Sequence, residues 1–207
     1  DVVFLSVSLR FLVPLHQEMV PRLLPKYAGL DKFRRAWLLK YLALTGNPQA
    51  QDLFASVLVR DPLDFGLFCI DGLGRIGSVK AITILGETLK NPEWFVRKRV
   101  AVVLGLCGRK ESFPYLIQAL EDESGQVRAS AIESLSQVGK LDIPLLIKEL
   151  RQARKRDTKI GLIRALGTIQ DPQVVAPLLQ TLSDRTTLFI SIDVLGDLGF
   201  PQAAEAL

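Results

Sequence analysis

The sequence predicts an all-α fold: a right-handed α-solenoid of stacked antiparallel helix hairpins, about 31 residues per repeat. Three observations carry this. Gly46, Gly77, Gly108 and Gly139 are each 31 residues apart, the next step lands on Gln170, and Gly199 follows after 29. Each marker is preceded at four residues by leucine (Leu42, Leu73, Leu104, Leu135, Leu166, Leu195) and at three by a small residue (Ala43, Gly74, Gly105, Ser136, Gly167, Gly196). Apolar residues elsewhere recur at helical spacing, and no strand-like alternation repeats with the period.

An irregular helical hairpin is expected over 1–30, followed by copies near 31–60, 61–90, 91–121, 122–152, 153–183 and 184–207. The first helix of each copy buries one face, as Ile132, Leu135 and Val138 illustrate, and ends at its marker glycine in a left-handed C′ position. The small residue three before the marker lets a neighbouring helix approach closely. A second helix follows within about five residues, with Ile82, Leu85 and Leu89 or Val175, Leu178 and Leu182 facing inward. Pro114, Pro144 and Pro177 fall early in these helices, where a missing N–H costs least. One hairpin buries too little apolar surface to stand alone, so neighbours complete each other's core. Neither end reads as a polar cap, and the array is expected to continue beyond this chain.

Composition limits the alternatives. Hydrophobic residues at 48% and charged residues at 23% are ordinary for a folded protein and exclude disorder. The net charge of +4 is mildly basic, less than a dedicated nucleic-acid binder carries. Cys69 and Cys107 form no CxxC pair and lie at apolar helical phases, which predicts free thiols and a reducing, cytoplasmic setting, or the cytoplasmic face of a membrane if the whole protein is anchored. The opening DVVFLSVSLRFLVPL is apolar but lacks a basic leader and is broken by Arg10, so it reads as neither a signal peptide nor a membrane span.

Residues 91–108, NPEWFVRKRVAVVLGLCG, and 122–139, DESGQVRASAIESLSQVG, resemble the HEAT-like repeats of the phycobilisome-lyase type. That pattern leads from an Asp/Asn-Pro turn into Val-Arg, then Ala, then Leu-Gly-x-Ile-Gly. Here it appears as Val96-Arg97 and Val127-Arg128, with Asp61-Pro62, Asn91-Pro92 and Asp171-Pro172 at or near turns. The chain departs from it at Gly66 and Leu188, where arginine is expected, and at Lys159. The resemblance covers about 31–207. It implies the architecture and leaves chromophore lyases, scaffolds and adaptors open.

GLGRIG at 72–77 matches a dinucleotide-binding motif by letter, but that motif opens a helix after a strand, whereas these glycines close one. Arg35, Arg97, Arg128 and Lys159, each eleven before a marker, are expected to form a structural ladder between repeats. Lys98, Arg99, Arg109 and Lys110 make one basic cluster with Trp94 and Phe95 just ahead of it. Arg151, Arg154, Lys155 and Arg156, with Lys148 and Lys159, make another, and both are candidates for nucleic acid or anionic lipid. The run Val100–Cys107 has no polar residue, while equivalents of Val102 are Lys40, Asp71, Glu133, Arg164 and Asp193; Val102 and Leu106 are expected to project outward as a contact patch. Ser56, Glu87, Gln118, Glu149 and Gln180, ten after each marker, predict a polar ridge on the concave side that receives a peptide or helix.

His16 is the sole histidine, which leaves no two-histidine metal site, and no catalytic or cofactor-binding residue is assigned. The reading is a non-catalytic scaffold for another protein. Its rivals are a bilin lyase or lyase subunit, as the resemblance allows, and a polyanion binder.

Overall fold

The computed structural model describes residues 16–201. The expectations for 1–15 of the leading hairpin and for 202–207 of the last copy lie outside the described residues. Every regular element among the described residues is helical.

The chain divides into two units, residues 1–91 and 92–207. In the first, α1 (His16–Leu23) is followed by a 3-10 turn, Leu24–Gly29. Then come α2 (Lys32–Thr45), α3 (Gln51–Arg60), α4 (Pro62–Ile76) and α5 (Val79–Thr88). In the second, α6 (Trp94–Leu106), α8 (Gly125–Gly139), α10 (Arg156–Gly167) and α12 (Leu188–Leu198) are first helices of successive hairpins. Between them run the second helices α7 (Phe113–Ala119), α9 (Ile143–Gln152) and α11 (Val175–Gln180). First helices pack side by side, α2 on α4 in one unit and α6, α8, α10 and α12 in a row in the other.

Local chemistry sets these boundaries. Gly46, Gly77, Gly108 and Gly199 have φ of 61°, 58°, 60° and 65°, a left-handed conformation that costs a residue with a Cβ about 1–2 kcal/mol. The residue after the marker then caps the next element: Asn47 accepts from the Gln49 N–H at 2.9 Å, Ser78 from Ala81 at 3.0 Å and Asp171 from Gln173 at 2.8 Å. Gly139 departs from the expectation. Helix α8 runs through it, Lys140 continues in right-handed geometry, and the cap moves on to Asp142, which accepts from Leu145 at 3.1 Å. Glycine serves there for space, because a Cβ would lie 2.6 Å from the Leu146 side chain. At the Gln170 marker the helix has already ended at Gly167.

The expected close approaches occur at Ala43, whose Cα would lie 3.1 Å from a Cβ on Gly72, and at Gly105 and Gly167. A Cβ on Gly105 would sit 2.5 Å from Ser134 Oγ and 2.9 Å from Ser134 Cα. The Ser134 hydroxyl uses this proximity to donate to the Ala101 carbonyl at 2.9 Å, joining α6 to α8 inside the core. Gly167 meets Val194 of α12 in the same way, whereas Gly196 has nothing within 4 Å. The leucines four before each marker, Leu42 and Leu73 in the first unit and Leu104, Leu135, Leu166 and Leu195 in the second, are fully buried together with Leu39, Ile70 and Ile163, whereas Ile132 is only half-buried and Ile192 is exposed.

Candidate binding surfaces

The residues eleven before each marker are tied into structure. Arg97, only 5% exposed, donates from Nε to Asp122 at 2.7 Å and from Nη2 to the other carboxylate oxygen at 2.9 Å. Its Nη1 donates to the Pro92 carbonyl at 2.8 Å, and Nη2 also reaches Glu123 at 3.0 Å. Lys159 pairs with Asp184 at 2.5 Å. Both acids lie 25 residues beyond the base. The same step from Arg128 lands on Ala153 and from Arg35 on Arg60. Lacking that acid, Arg128 donates to the carbonyls of Asp122 at 2.7 Å and Glu123 at 3.0 Å, and Arg35 donates to the Ala28 carbonyl at 2.7 Å while covering the Tyr27 ring.

The turn at 121–123 is therefore a hub. Glu121 accepts from Lys155 Nζ at 2.5 Å and from Thr158 Oγ1 at 2.7 Å, so the turn holds side chains from α6, α8 and α10 and from the residue before α10. Burial pushes the Asp122 carboxyl up, but hydrogen bonds from Arg97 and the Ser124 N–H outweigh it, and the group stays below its ordinary value. Hydrogen bonds from Lys155 and Thr158 likewise hold Glu121 low, and the bonds from Lys159 and Thr186 do so for Asp184. Cations spent this way make no track for phosphates.

The basic residues at 97–110 are drawn out along α6, and those at 148–159 are divided between engaged and unpaired side chains. Lys98 and Arg99 are half-buried on the early turns of α6, with Lys98 Nζ 3.3 Å from Gln126 Oε1, while Arg109 and Lys110 are exposed beyond its far end. At 1.5 Å of rise per residue that separation is roughly 15 Å. In the other segment Lys155 is taken by Glu121, and Arg156 donates to the Thr186 carbonyl at 3.3 Å. Lys148, Arg151 and Arg154 are exposed, and no carboxylate among the described residues pairs with them.

On the outer side of α6, Leu106 is 70% exposed, Val102 is half-buried, and Trp94 and Phe95 meet edge to face at the helix start. The stripe Phe95, Arg99, Val102, Leu106 follows one helix face, and Val102 is recessed relative to the expectation. Leu141, 70% exposed, lies next to Gly108 at the same end of the helix.

The residues ten after each marker sit on second helices. Glu87, Gln118 and Gln180 are exposed, Glu149 is half-buried, and the Ser56 hydroxyl is spent on the Leu53 carbonyl at 2.8 Å. Glu87 pairs with Lys90 at 2.6 Å. Two cavities that sequence reading missed flank this ridge. In the first unit a groove of about 320 Å³ between α3 and α5 is lined by Leu58, Val59, Ile84, Glu87, Thr88 and Asn91, with Val59 84% exposed. In the second a pocket of about 230 Å³ has Leu150, Ala153 and Pro177 with Arg151 and Gln180. Val59 is exposed and Ile84 half-buried, and nothing in the repeat spacing marks the two as neighbours.

Neither Cys69, which is buried, nor Cys107, which is half-buried, is in a disulfide. Among the described residues no group of three His, Cys, Asp or Glu is placed to hold a metal ion, and no helix is long and apolar enough to cross a membrane.

Comparison with known families agrees with this geometry. The family described as HEAT repeats matches residues 85–142, and that described as PBS lyase HEAT-like repeat matches 159–184. The chain is also similar to deoxyhypusine hydroxylase of Danio rerio, 29% identical over 100 residues that cover 47% of this chain and 33% of that protein. The aligned segment thus spans about a third of the length of this curated relative. Left-handed glycines that close first helices, and paired helices around a shared leucine core, make this an all-α solenoid, with HEAT-like repeats matched at 85–142 and 159–184.

Proposed function

We propose that this chain is a non-catalytic scaffold that binds a protein partner through its second-helix face and through the apolar patch on α6. The observation that carries the reading is apolar surface left in water on helices whose cores are otherwise complete. Val59 is 84% exposed above a groove walled by Leu58 and Ile84, and Leu106 is 70% exposed beside Val102. Apolar side chains gathered over concave or contiguous surface mark contact sites. Glu87, Gln118, Glu149 and Gln180 border the second-helix face with hydrogen-bonding groups that orient a bound segment.

The test is affinity capture with the full-length protein followed by mass spectrometry, comparing wild type with Val59→Glu and with Val102→Lys/Leu106→Lys. The reading requires a partner whose recovery falls at least about tenfold in one variant, the scale of one buried interfacial contact. Retention of every partner by both variants refutes it.

A catalytic reading is favoured by the two likenesses alone, to the lyase-type repeat and to deoxyhypusine hydroxylase. Bilin absorbance that copurifies with the protein, or hydroxylation of a deoxyhypusine-bearing substrate, would put it ahead. A polyanion reading, nucleic acid or anionic lipid, predicts retention on a polyanion resin that falls steeply with salt.

A further inference from the structure

Within the second unit, the second-helix face has an electrostatic character that its neighbours lack. Lys148 and Arg151 are one turn apart on α9, and Arg154 follows in the loop before α10; all three are exposed and have no carboxylate partner among the described residues. The other cations of 148–159 are engaged, Lys155 by Glu121, Lys159 by Asp184 and Arg156 by the Thr186 carbonyl. Three like charges this close repel one another, and an external anion relieves that repulsion.

Beside these charges is the pocket of about 230 Å³, lined by the apolar Leu150, Ala153 and Pro177, by Arg151 and Gln180, and by Lys159 and Asp184, whose carboxylate is neutralised by that lysine. Leu150 and Pro177 are buried, so this side of the pocket is fixed by the hairpin core. The cavity has room for one aliphatic side chain, with Arg151 among its lining residues.

We propose that this face docks an acidic linear peptide, its carboxylates on Lys148, Arg151 and Arg154 and one aliphatic side chain in the pocket. This rests on the scaffold reading and names the partner chemistry for one of its faces. A peptide fits better than a nucleic acid because the cationic spot is a single repeat wide. The positions equivalent to Lys148 carry Ile117 on α7 and Leu179 on α11, those equivalent to Arg151 carry Leu120 and Leu182, and Glu149 lies within the spot. A phosphodiester chain needs a continuous line of cations and meets no such interruption favourably.

The experiment uses the full chain and fluorescence anisotropy with a labelled peptide in which one leucine lies between pairs of aspartates and glutamates. Comparison probes are the same peptide with Leu replaced by Ser, and a labelled oligothymidylate. Wild type should bind the leucine peptide, and Lys148→Glu/Arg151→Glu/Arg154→Glu should weaken that binding at least about tenfold. Reversal of Arg109 and Lys110, exposed elsewhere, should leave it within about twofold. The serine peptide should bind several-fold more weakly. All the reversed residues are exposed, so circular dichroism should confirm an unchanged fold. Equal binding by the triple variant, or tighter binding of oligothymidylate than of the leucine peptide, overturns the proposal. If wild type ignores the peptide while partners are still captured through Val59 or Leu106, the acidic-peptide proposal falls and the scaffold reading stands. If both assays fail, both fall.

Discussion

Replacing Arg97 by methionine tests whether the buried ion pair on the acidic turn holds the second unit together. Arg97 and Asp122 have side chains 6% and 9% exposed and share two hydrogen bonds of 2.7 and 2.9 Å. Methionine fills similar volume and leaves Asp122 buried without its counter-charge, a loss typically of about 3–5 kcal/mol. The lower end applies, because the Ser124 N–H still donates to Asp122 at 2.8 Å and Arg128 stays nearby. The Glu123 contact adds little, since that carboxylate is 84% exposed. Urea denaturation followed by circular dichroism should therefore show Arg97→Met to be about 3 kcal/mol less stable at about pH 7. The pH dependence gives a second readout. In wild type the Asp122 carboxyl is held below its unfolded value, so its contribution is full above that value and is lost as pH falls through the folded one. In the variant the Arg97 hydrogen bonds and charge no longer oppose burial, so the folded carboxyl moves up and less stability is lost on protonation. The deficit should shrink as pH is lowered toward about 3. A deficit below about 1 kcal/mol at neutral pH, or one that does not change with pH, refutes the account.

The close approach at Gly105 gives a paired prediction. Gly105→Ala should cost about 1–3 kcal/mol, because its Cβ meets the Ser134 backbone. Gly196→Ala, with nothing within 4 Å, should be neutral or stabilise by up to about 1 kcal/mol; thermal melts of both decide it. Thiol alkylation separates the cysteines. Burial pushes both thiols above their ordinary value, and the Arg109 charge lowers Cys107 in part. At about pH 8 Cys107 should react slowly and Cys69 only on unfolding. Labelling of Cys69 first would contradict its burial.

The fold was legible because the repeat writes the same physical requirement several times. A left-handed helix end admits glycine at low cost, so Gly46, Gly77, Gly108 and Gly199 mark helix ends directly. The same letter at Gly139 answers a different need, clearance for Leu146, and spacing cannot distinguish a backbone requirement from a packing one. The basic ladder was visible as a row, yet its partners were visible only to a reader who stepped 25 residues on, to Asp122 and Asp184. The basic run at 97–110 looked like one cluster because sequence distance hides the length of a helix. The groove at Val59 and Ile84 and the pocket at Leu150 and Pro177 depend on how two second helices diverge, which no single copy encodes.

The turn at 121–123 bears on how far a disturbance spreads. Arrays of this type ordinarily behave as chains of neighbours, each copy sensing only the next. A three-residue turn gripped from α6, α8 and α10 links copies that are not adjacent, so the correlation length there is three hairpins instead of two. Substitutions on α6 and α10 should then fail to add, although the helices are separated by α8. Fraying that starts at α12 should stop short of this turn or pass through it all at once.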